Sequence, residues 1–205
     1  MIARRALIPF MLALGFALAM PAIAARADDA QDARKIVQTI SDRALNILAR
    51  PSRTDRNSEF RKLFTEYFNT VAIGRFVLGR YREGVDPSQF DRFMGVFEEL
   101  VAKTYTVQLG DFAGEKFKVL SARSDNNRWV VDSQIEPPGR STIRLDWILA
   151  RTKSGLKVVD VRVDNLSMAI TQRDEFSSIL QANNGKVDKL IDFMQQKIRK
   201  LDTSV

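Results

Sequence analysis

The sequence contains no cysteine and no histidine among its 205 residues. Without histidine the chain lacks the usual general base of enzymes and the commonest metal ligand. Without cysteine it lacks a thiol nucleophile, a thiolate zinc site and any disulfide bond. Carboxylates, lysine, serine and tyrosine remain for catalysis, so the two absences make an enzyme less expected without excluding one. We predict no catalytic residue, no metal site and no cofactor.

Several classes of protein are also excluded by what the chain does not have. It has no internal repeats, no low-complexity tract, no block of five or more basic residues and no glycine-rich phosphate-binding motif. Hydrophobic residues make up 45% of the chain and charged residues 28%, which excludes wholesale disorder. A length near 200 residues fits one domain, or at most two small ones.

The N-terminus is typical of a secretory signal peptide. Arg4 and Arg5 precede an apolar run that ends at Met20, and Ala22-Ile23-Ala24 and Ala25-Arg26-Ala27 both offer the A-x-A pattern of a cleavage site. A membrane anchor is the alternative, but the run is shorter than the roughly 20 apolar residues that a span needs. We therefore predict a signal peptide at 1–27, cleaved after Ala27, and a single domain at 28–205.

The predicted cleavage changes the charge of the protein. Residues 1–27 hold three arginines and no acid, so their removal lowers the net charge from +7 to +4. This weakens any expectation of nucleic-acid binding, whereas basic residues such as Arg75, Arg80, Arg82 and Arg140 could steer the protein to an acidic partner or lipid surface. Export without cysteine indicates the bacterial periplasm.

The two halves of the chain differ in their hydrophobic period. Apolar residues at helical spacing predict helices around 36–48, 60–68, 70–78, 176–180 and 187–198. A long amphipathic helix is predicted from Asp86-Pro87-Ser88-Gln89, with Asp86 as N-cap, Pro87 in the first turn and Gln89 closing a capping box.

Strict alternation of apolar and polar residues then predicts four strands, at 116–121, 129–134, 142–149 and 159–163. In the first, Phe117, Val119 and Ser121 are expected on the apolar face, opposite Lys116 and Lys118. Turn-forming residues such as Asp125-Asn126-Asn127 separate them. Helices, a run of strands and more helices indicate an α+β fold: a curved antiparallel sheet of about four strands roofed by helices, cone-like as in NTF2-like domains. Such a cone either fills with side chains or encloses an apolar cavity, and thirteen phenylalanines make the cavity a hypothesis worth testing.

Three acids fall on the polar phase of the predicted strands. Asp132, Asp146 and Asp160 are expected to share one sheet face with Arg144 and Arg162. A cross-strand ladder of carboxylates and guanidinium groups explains this pattern. A catalytic acid cluster is the alternative.

A series of short motifs follows in a characteristic order. Residues 64–68 read Phe-Thr-Glu-Tyr-Phe, residues 77–82 read Val-Leu-Gly-Arg-Tyr-Arg, and residues 89–93 read Gln-Phe-Asp-Arg-Phe. Residues 158–168 read Val-Val-Asp-Val-Arg-Val-Asp-Asn-Leu-Ser-Met, and Gln172-Arg173 precedes Phe176. In this order and spacing, over residues 36–200, the chain resembles the MlaC family of periplasmic phospholipid-binding proteins, also called the toluene-tolerance auxiliary component family.

The chain departs from the family pattern at a few positions. Leu156 stands where the family usually has tryptophan, Asn165 where it has glycine, and Gln172 where it has tyrosine. Asparagine tolerates the left-handed backbone that a glycine would hold, so we expect the turn at Asn165 to survive. One branch of the family is associated with hopanoid-producing bacteria, and the resemblance leaves membership of that branch open.

The resemblance implies a lipid carrier that is not an enzyme. Such proteins hold the acyl tails of a phospholipid or a hopanoid-type lipid in a pocket between sheet and helices. They carry it between an outer-membrane lipoprotein complex and an inner-membrane ABC transporter with an MCE-domain subunit, and so maintain outer-membrane lipid asymmetry. Nucleic acid is not among the implied partners.

The apolar phase of the long helix and of the strands supplies our candidates for the pocket wall. These are Phe93, Phe97, Leu100, Val101 and Tyr105 on the helix, with Ile143, Leu145, Trp147, Val159 and Val161 on the sheet.

Two other classes of function stay open on the sequence. An enzyme acting on a hydrophobic substrate would place an ionisable residue inside an otherwise apolar cavity. A periplasmic adaptor that binds no ligand would have a filled core and no cavity.

Overall fold

The structure is a computed structural model that describes residues 21–112, 115–137 and 139–203. Six α-helices and five strands follow one another in these residues, with 3₁₀ turns at Gly79–Gly84 and Gly110–Phe112. Their bounds are α1 Pro21–Leu48, α2 Arg53–Tyr67, α3 Thr70–Leu78, α4 Pro87–Gln108, β1 Lys116–Asp125, β2 Arg128–Glu136, β3 Ile143–Thr152, β4 Gly155–Val163, β5 Leu166–Ser167, α5 Met168–Ala182 and α6 Val187–Thr203.

Most of the predicted signal peptide, residues 1–20, lies outside the described residues. Helix α1 begins at Pro21, so its first turns contain the predicted cleavage site after Ala27. None of the helices within the described ranges is long and apolar enough to cross a membrane.

The five strands form one antiparallel meander in the order β1-β2-β3-β4-β5. The α+β class and the antiparallel sheet are confirmed, and the two-residue β5 is added to the four strands that were predicted. Asn126 and Asn127 turn β1 into β2 with φ of 45° and 62°. Asn165 has a φ of 69° in the turn before β5, so asparagine does hold this left-handed turn.

Two β-bulges bend the sheet. One falls at Leu120, which is 49% exposed, and it shifts every later residue of β1 by one place. The expectation that Ser121 shares the apolar face with Phe117 and Val119 is therefore wrong: Ser121 pairs with Asp132 and its hydroxyl donates to that carboxylate. The second bulge falls at Val159, between the pairs Ile148–Asp160 and Leu149–Val158. Extra residues of this kind increase local twist, which gives the sheet its curvature.

Local signals explain how α4 begins and how it is fixed. The Asp86 carboxylate accepts the Gln89 amide at 2.9 Å, and Pro87 occupies the first turn as predicted. The Gln89 side chain does not close a capping box. Instead its Nε2 donates to Asp188 of α6 at 2.9 Å, where Arg92 also binds at 3.0 Å. A long-range contact has replaced the local one.

The buried apolar residues form two clusters. The helical core lies among α3, α4, α5 and α6 and contains Phe93, Phe97 and Phe176. Here α3 approaches α4 so closely that a Cβ at Gly74 would lie 2.3 Å from the Met94 sulfur. The second cluster lies between α1 and the inner face of the sheet and includes Val37, Trp147 and Leu149. The candidate site lies between these two clusters.

Candidate functional site

A cavity of about 220 Å³, partly open to solvent, lies between the inner face of the sheet and the helices. Side chains from α1 to α5, from β1 to β4 and from the 3₁₀ turn at Gly110–Phe112 form its wall, which is almost entirely apolar. The cone therefore encloses a cavity, and the filled core expected of an adaptor is not what this fold builds.

Helix α4 provides the helical wall with one stripe of side chains. Phe97, Val101 and Tyr105 are spaced four residues apart, so they lie one above the other on the helix. The Phe97 ring also belongs to the helical core, because it stacks on Phe93 with ring centres 5.6 Å apart. The Phe97 ring therefore lies between the packed helical core and the cavity.

Trp147 of β3 is held in the sheet wall by a buried hydrogen bond. Its indole Nε1 donates to the Ser133 hydroxyl at 3.0 Å, and that hydroxyl donates to the Leu145 carbonyl at 3.3 Å. The Phe68 and Phe117 rings each lie 6.4 Å from the indole, centre to centre. With its one polar atom satisfied, the tryptophan presents an apolar face to the cavity.

The structure brings seven of the ten predicted pocket residues to the cavity wall: Phe97, Val101, Tyr105, Leu145, Trp147, Val159 and Val161. Phe93 and Leu100 lie instead in the helical core, where they are 0% and 2% exposed. Ile143, at the first position of β3, does not line the cavity. All three are apolar and on the expected phase, but they are too far round the helix or along the strand.

Sequence reasoning missed the contributions of four other helices. Those of α1 and α2 are Ser41, Ala44, Leu45, Leu48, Phe60 and Phe64, with Phe68 just after α2; those of α3 and α5 are Ile73, Val77, Met168, Ala169 and Gln172. The apolar stripes of these helices were visible in the sequence. The sequence does not indicate which of these stripes faces the sheet across the cavity.

A few polar groups interrupt the apolar wall. Asp160, expected on the outer face of the sheet, lies in this wall and accepts the Ala169 amide at 3.0 Å, which secures the start of α5. Burial raises the pKa of the Tyr105 phenol, and the nearby negative charge of Asp160 raises it further. Glu115 and Gln172 also reach the wall.

Ser41 is the most deeply buried polar residue of the wall. It is 5% exposed, and its hydroxyl has no hydrogen-bond partner among the described residues. A buried hydroxyl without a partner destabilises the folded state, in contrast to Ser133, whose hydroxyl is fully used.

The outer face of the sheet carries a row of charged residues, as the strand pattern predicted. Arg123 belongs to this row, whereas Asp160 does not. Asp132 and Asp146 face each other across β2 and β3, and Asp146 faces Arg162 across β3 and β4. Arg123 pairs with Asp132 at 2.6 Å. Burial, then the charge of Asp132, raises the pKa of Asp146. The Asp132 carboxylate is held by Arg123 and by the Ser121 hydroxyl, and Asp146 lies beside Asp132 and Arg162 in the register, on the face away from the cavity. This placement favours the ladder over a catalytic cluster.

No group of three or more potential metal-ligating side chains occurs within the described ranges. The cavity therefore offers apolar surface, one unpaired hydroxyl and a few polar groups at its wall.

The family model of the MlaC protein matches residues 38–196. This chain belongs to the MlaC family. The matched region contains every cavity-lining residue, from Ser41 to Gln172, so the cavity is built entirely from the part of the chain that defines the family.

A solved structure has the same fold as this MlaC-family chain. It is the phospholipid-binding protein from Ralstonia solanacearum, determined in complex with a phospholipid. The two are 21% identical with a TM-score of 0.71, over 83% of this chain and 98% of the other. A search of curated protein sequences finds no match.

Proposed function

We propose that this protein is a periplasmic lipid carrier that buries lipid acyl tails in the cavity. The observation that carries the proposal is the apolar cavity between the sheet and helices α1 to α5. Each methylene moved from water into such a wall contributes about 0.8 kcal/mol, so affinity needs only apolar surface. Membership of the MlaC family and the phospholipid found in the Ralstonia protein support a lipid as the ligand.

The size of the cavity sets a condition on its cargo. At about 220 Å³ it is smaller than the roughly 300–1,000 Å³ of most ligand pockets. Binding a two-tailed phospholipid or a hopanoid-type lipid therefore requires the helical wall to move away from the sheet. The head group would stay in solvent, since the described residues of the cavity wall include no cluster of paired charges to receive it.

The wider role we propose is transport between the two membranes. The protein would be exported by a signal peptide cleaved after Ala27, leaving the domain 28–205. It would then carry lipid between an outer-membrane lipoprotein complex and an inner-membrane ABC transporter with an MCE domain. The family and the N-terminal sequence support this role.

An enzyme is the competing class, because Asp160, Glu115 and Tyr105 are ionisable groups in the cavity wall. The contacts of Asp160 favour the carrier: its carboxylate already accepts the amide that starts α5. The chain has no histidine to activate a serine or water beside it.

The test is to purify the protein from a periplasmic extract without detergent and identify bound lipid by mass spectrometry after solvent extraction. We expect intact lipid in stoichiometric amount. Lipid-free protein from several growth conditions would contradict the proposal, and fatty acid or lysolipid released from added phospholipid would favour the enzyme. Transfer from loaded protein to proteoliposomes with and without the transporter tests the wider role.

A further inference from the structure

Exposed apolar side chains concentrate on helix α3 and on the segment where β5 leads into α5. Val71 and Phe76 of α3 are 48% and 38% exposed, Leu166 of β5 is 67% exposed, and Ile170 of α5 is 53% exposed. Exposed apolar side chains concentrated in one region in this way are typical of interaction sites in soluble proteins.

These side chains lie on elements that pack against each other. The Arg173 guanidinium lies 5.1 Å from the centre of the Phe76 ring, and a Cβ added at Gly79 would lie 3.3 Å from the Arg173 Nε. Helix α5 therefore packs along α3 with Arg173 at the contact. Leu166 and Ile170 lie just before Arg173, at the start of α5.

Arginines without acidic partners accompany the apolar residues. Arg75 lies over the Phe90 ring at 5.7 Å and Arg80 over the Tyr81 ring at 5.1 Å. Within the described ranges, neither these two nor Arg82 and Arg173 lie within 4.0 Å of a carboxylate, whereas Arg43, Arg61 and Arg92 all do. Glu83 is the one acid in segments 70–84 and 166–173, and Asp174 directly follows.

We name the surface of Val71, Arg75, Phe76, Leu166, Ile170 and Arg173 the α3–α5 face, and we propose that it docks on an anionic lipid bilayer. Leu166 and Ile170 enter the headgroup region, and the arginines bind lipid phosphates. Stacking on aromatic rings holds the guanidinium groups in place, so little side-chain freedom is lost on binding.

The arginines favour an anionic bilayer as the partner, because Arg75 and Arg173 carry positive charge with no carboxylate within 4.0 Å among the described residues. A layer of charged headgroups above hydrocarbon accommodates arginines that alternate with exposed apolar side chains. Arginine is also common in protein interfaces, so the variants below separate a bilayer from an acidic protein.

The inner sides of the same two helices line the cavity. Ile73 and Val77 of α3, with Met168 and Gln172 of α5, face the cavity, while Phe76 and Ile170 face outward. Docking through the α3–α5 face would therefore bring the cavity wall against the membrane. The docking itself does not depend on the cavity holding lipid.

The experiment measures flotation of the purified protein with vesicles of phosphatidylcholine alone or mixed with phosphatidylglycerol. We expect binding to the anionic vesicles, weakened by salt, and little binding to phosphatidylcholine alone. Arg75→Gln and Arg173→Gln should each reduce the affinity about fivefold, the contribution of one basic residue near an anionic leaflet. Ile170→Asp should abolish most of the binding.

Matched controls lie elsewhere on the surface. Arg128→Gln removes an exposed arginine without an ion pair in the described residues, and Leu120→Asp changes an exposed leucine on the β1 bulge. Both should bind anionic vesicles as the parent protein does, and thermal unfolding checks that every variant is folded.

Two outcomes of the vesicle experiment would overturn the docking proposal. Absence of binding to anionic vesicles, or equal losses in the control variants, would show that the α3–α5 face is not a lipid-docking surface. Unchanged vesicle binding in Arg75→Gln and Arg173→Gln, with loss of binding to an acidic protein, would assign the face to a protein partner. Lipid content measured on the same samples separates this result from the proposed function, since an empty cavity with normal vesicle binding would contradict only the carrier.

Discussion

The helical core and the cavity are both apolar, yet one is filled and the other is hollow. In the helical core Phe93, Phe97 and Phe176 pack ring to ring, with centres 5.6 to 6.2 Å apart, and Phe93 and Phe176 are fully buried. A few ångströms away, the side chains of α1, α4 and the sheet surround about 220 Å³ of unfilled space. The difference shows that composition of the lining does not decide whether apolar space is filled.

Helix α4 shows where the division falls. Residues 93, 97, 101 and 105 are spaced four apart and form one stripe, and only its last three members line the cavity. Phe93 and Leu100 pack in the helical core without reaching the cavity. Stability should therefore depend mainly on Phe93 and Leu100, and ligand binding on Val101 and Tyr105.

The largest expected difference comes from removing one ring in each region. Phe176→Ala should lower the free energy of unfolding by about 3–5 kcal/mol, because a new cavity opens in a filled core. Phe117→Ala on the cavity wall should cost roughly 1–2 kcal/mol, since this ring lacks neighbours on its cavity side. Urea unfolding of both variants measures the difference, and equal losses would show that the cavity wall is packed as tightly as the core.

An added phenyl ring should destabilise the packed helices more than the cavity wall. Ala102→Phe in α4, at a position that is 1% exposed and away from the cavity, should cost about 1–3 kcal/mol through overpacking. Ala44→Phe should leave stability nearly unchanged because its ring enters the cavity. The ring displaces at least two methylenes of bound lipid, at about 0.8 kcal/mol each, so lipid binding should weaken by about tenfold or more.

Thermal unfolding and a lipid-binding titration distinguish the two phenylalanine variants. A large loss of stability in Ala44→Phe, or unaltered lipid affinity, would argue that ligand does not occupy this space.

Two buried serines sharpen the contrast at the level of single hydroxyl groups. Ser133→Ala should destabilise the protein by about 1–3 kcal/mol, because the Trp147 indole would lose its acceptor. Ser41→Ala should be neutral or stabilising by up to about 1 kcal/mol, because it removes a buried hydroxyl that has no partner in the described residues. Chemical denaturation measures both, and a substantial loss in Ser41→Ala would mean that its hydroxyl is hydrogen-bonded in solution.

The smallest effect concerns the titration of Tyr105. Its pKa is raised by burial and by Asp160, so ionisation is disfavoured in the folded protein. The resulting stability is fully present below the unfolded pKa of about 10 and is lost as the pH rises through the raised folded pKa.

Tyrosinate absorbance should show a late component that Tyr105→Phe removes. Lipid in the cavity should delay this component further by excluding water. Titration of Tyr105 at the ordinary tyrosine pKa would show that water reaches this part of the wall freely.

Local patterns explain which parts of the fold were predictable. The Asp86-Pro87 start of α4 and the asparagine turn before β5 depend on backbone chemistry within four residues, and both appear as expected. The bulges at Leu120 and Val159 were not predictable, because an extra residue is defined only against the strand it pairs with. For the same reason Ser121 was placed on the wrong face.

The candidate site was only partly accessible to such reasoning. The apolar phase of α4 and the strands led to Tyr105, Trp147 and Val161, but the same phase led equally to Phe93 and Leu100 in the filled core. Ser41 carried no signal at all, since a serine on an apolar stripe looks like any tolerated small residue.

The sequence by itself determined the class of elements, their order, the family and the absence of histidine and cysteine chemistry. The elements follow from the hydrophobic period and the capping residues, which depend on residues close together in the chain. The absence of histidine and cysteine chemistry follows from composition alone. Only the tertiary structure decided which apolar stripes meet and which are held apart. That outcome depends on the curvature of the sheet and the close approach of α3 to α4 at Gly74, and both arise from contacts between residues distant in the chain.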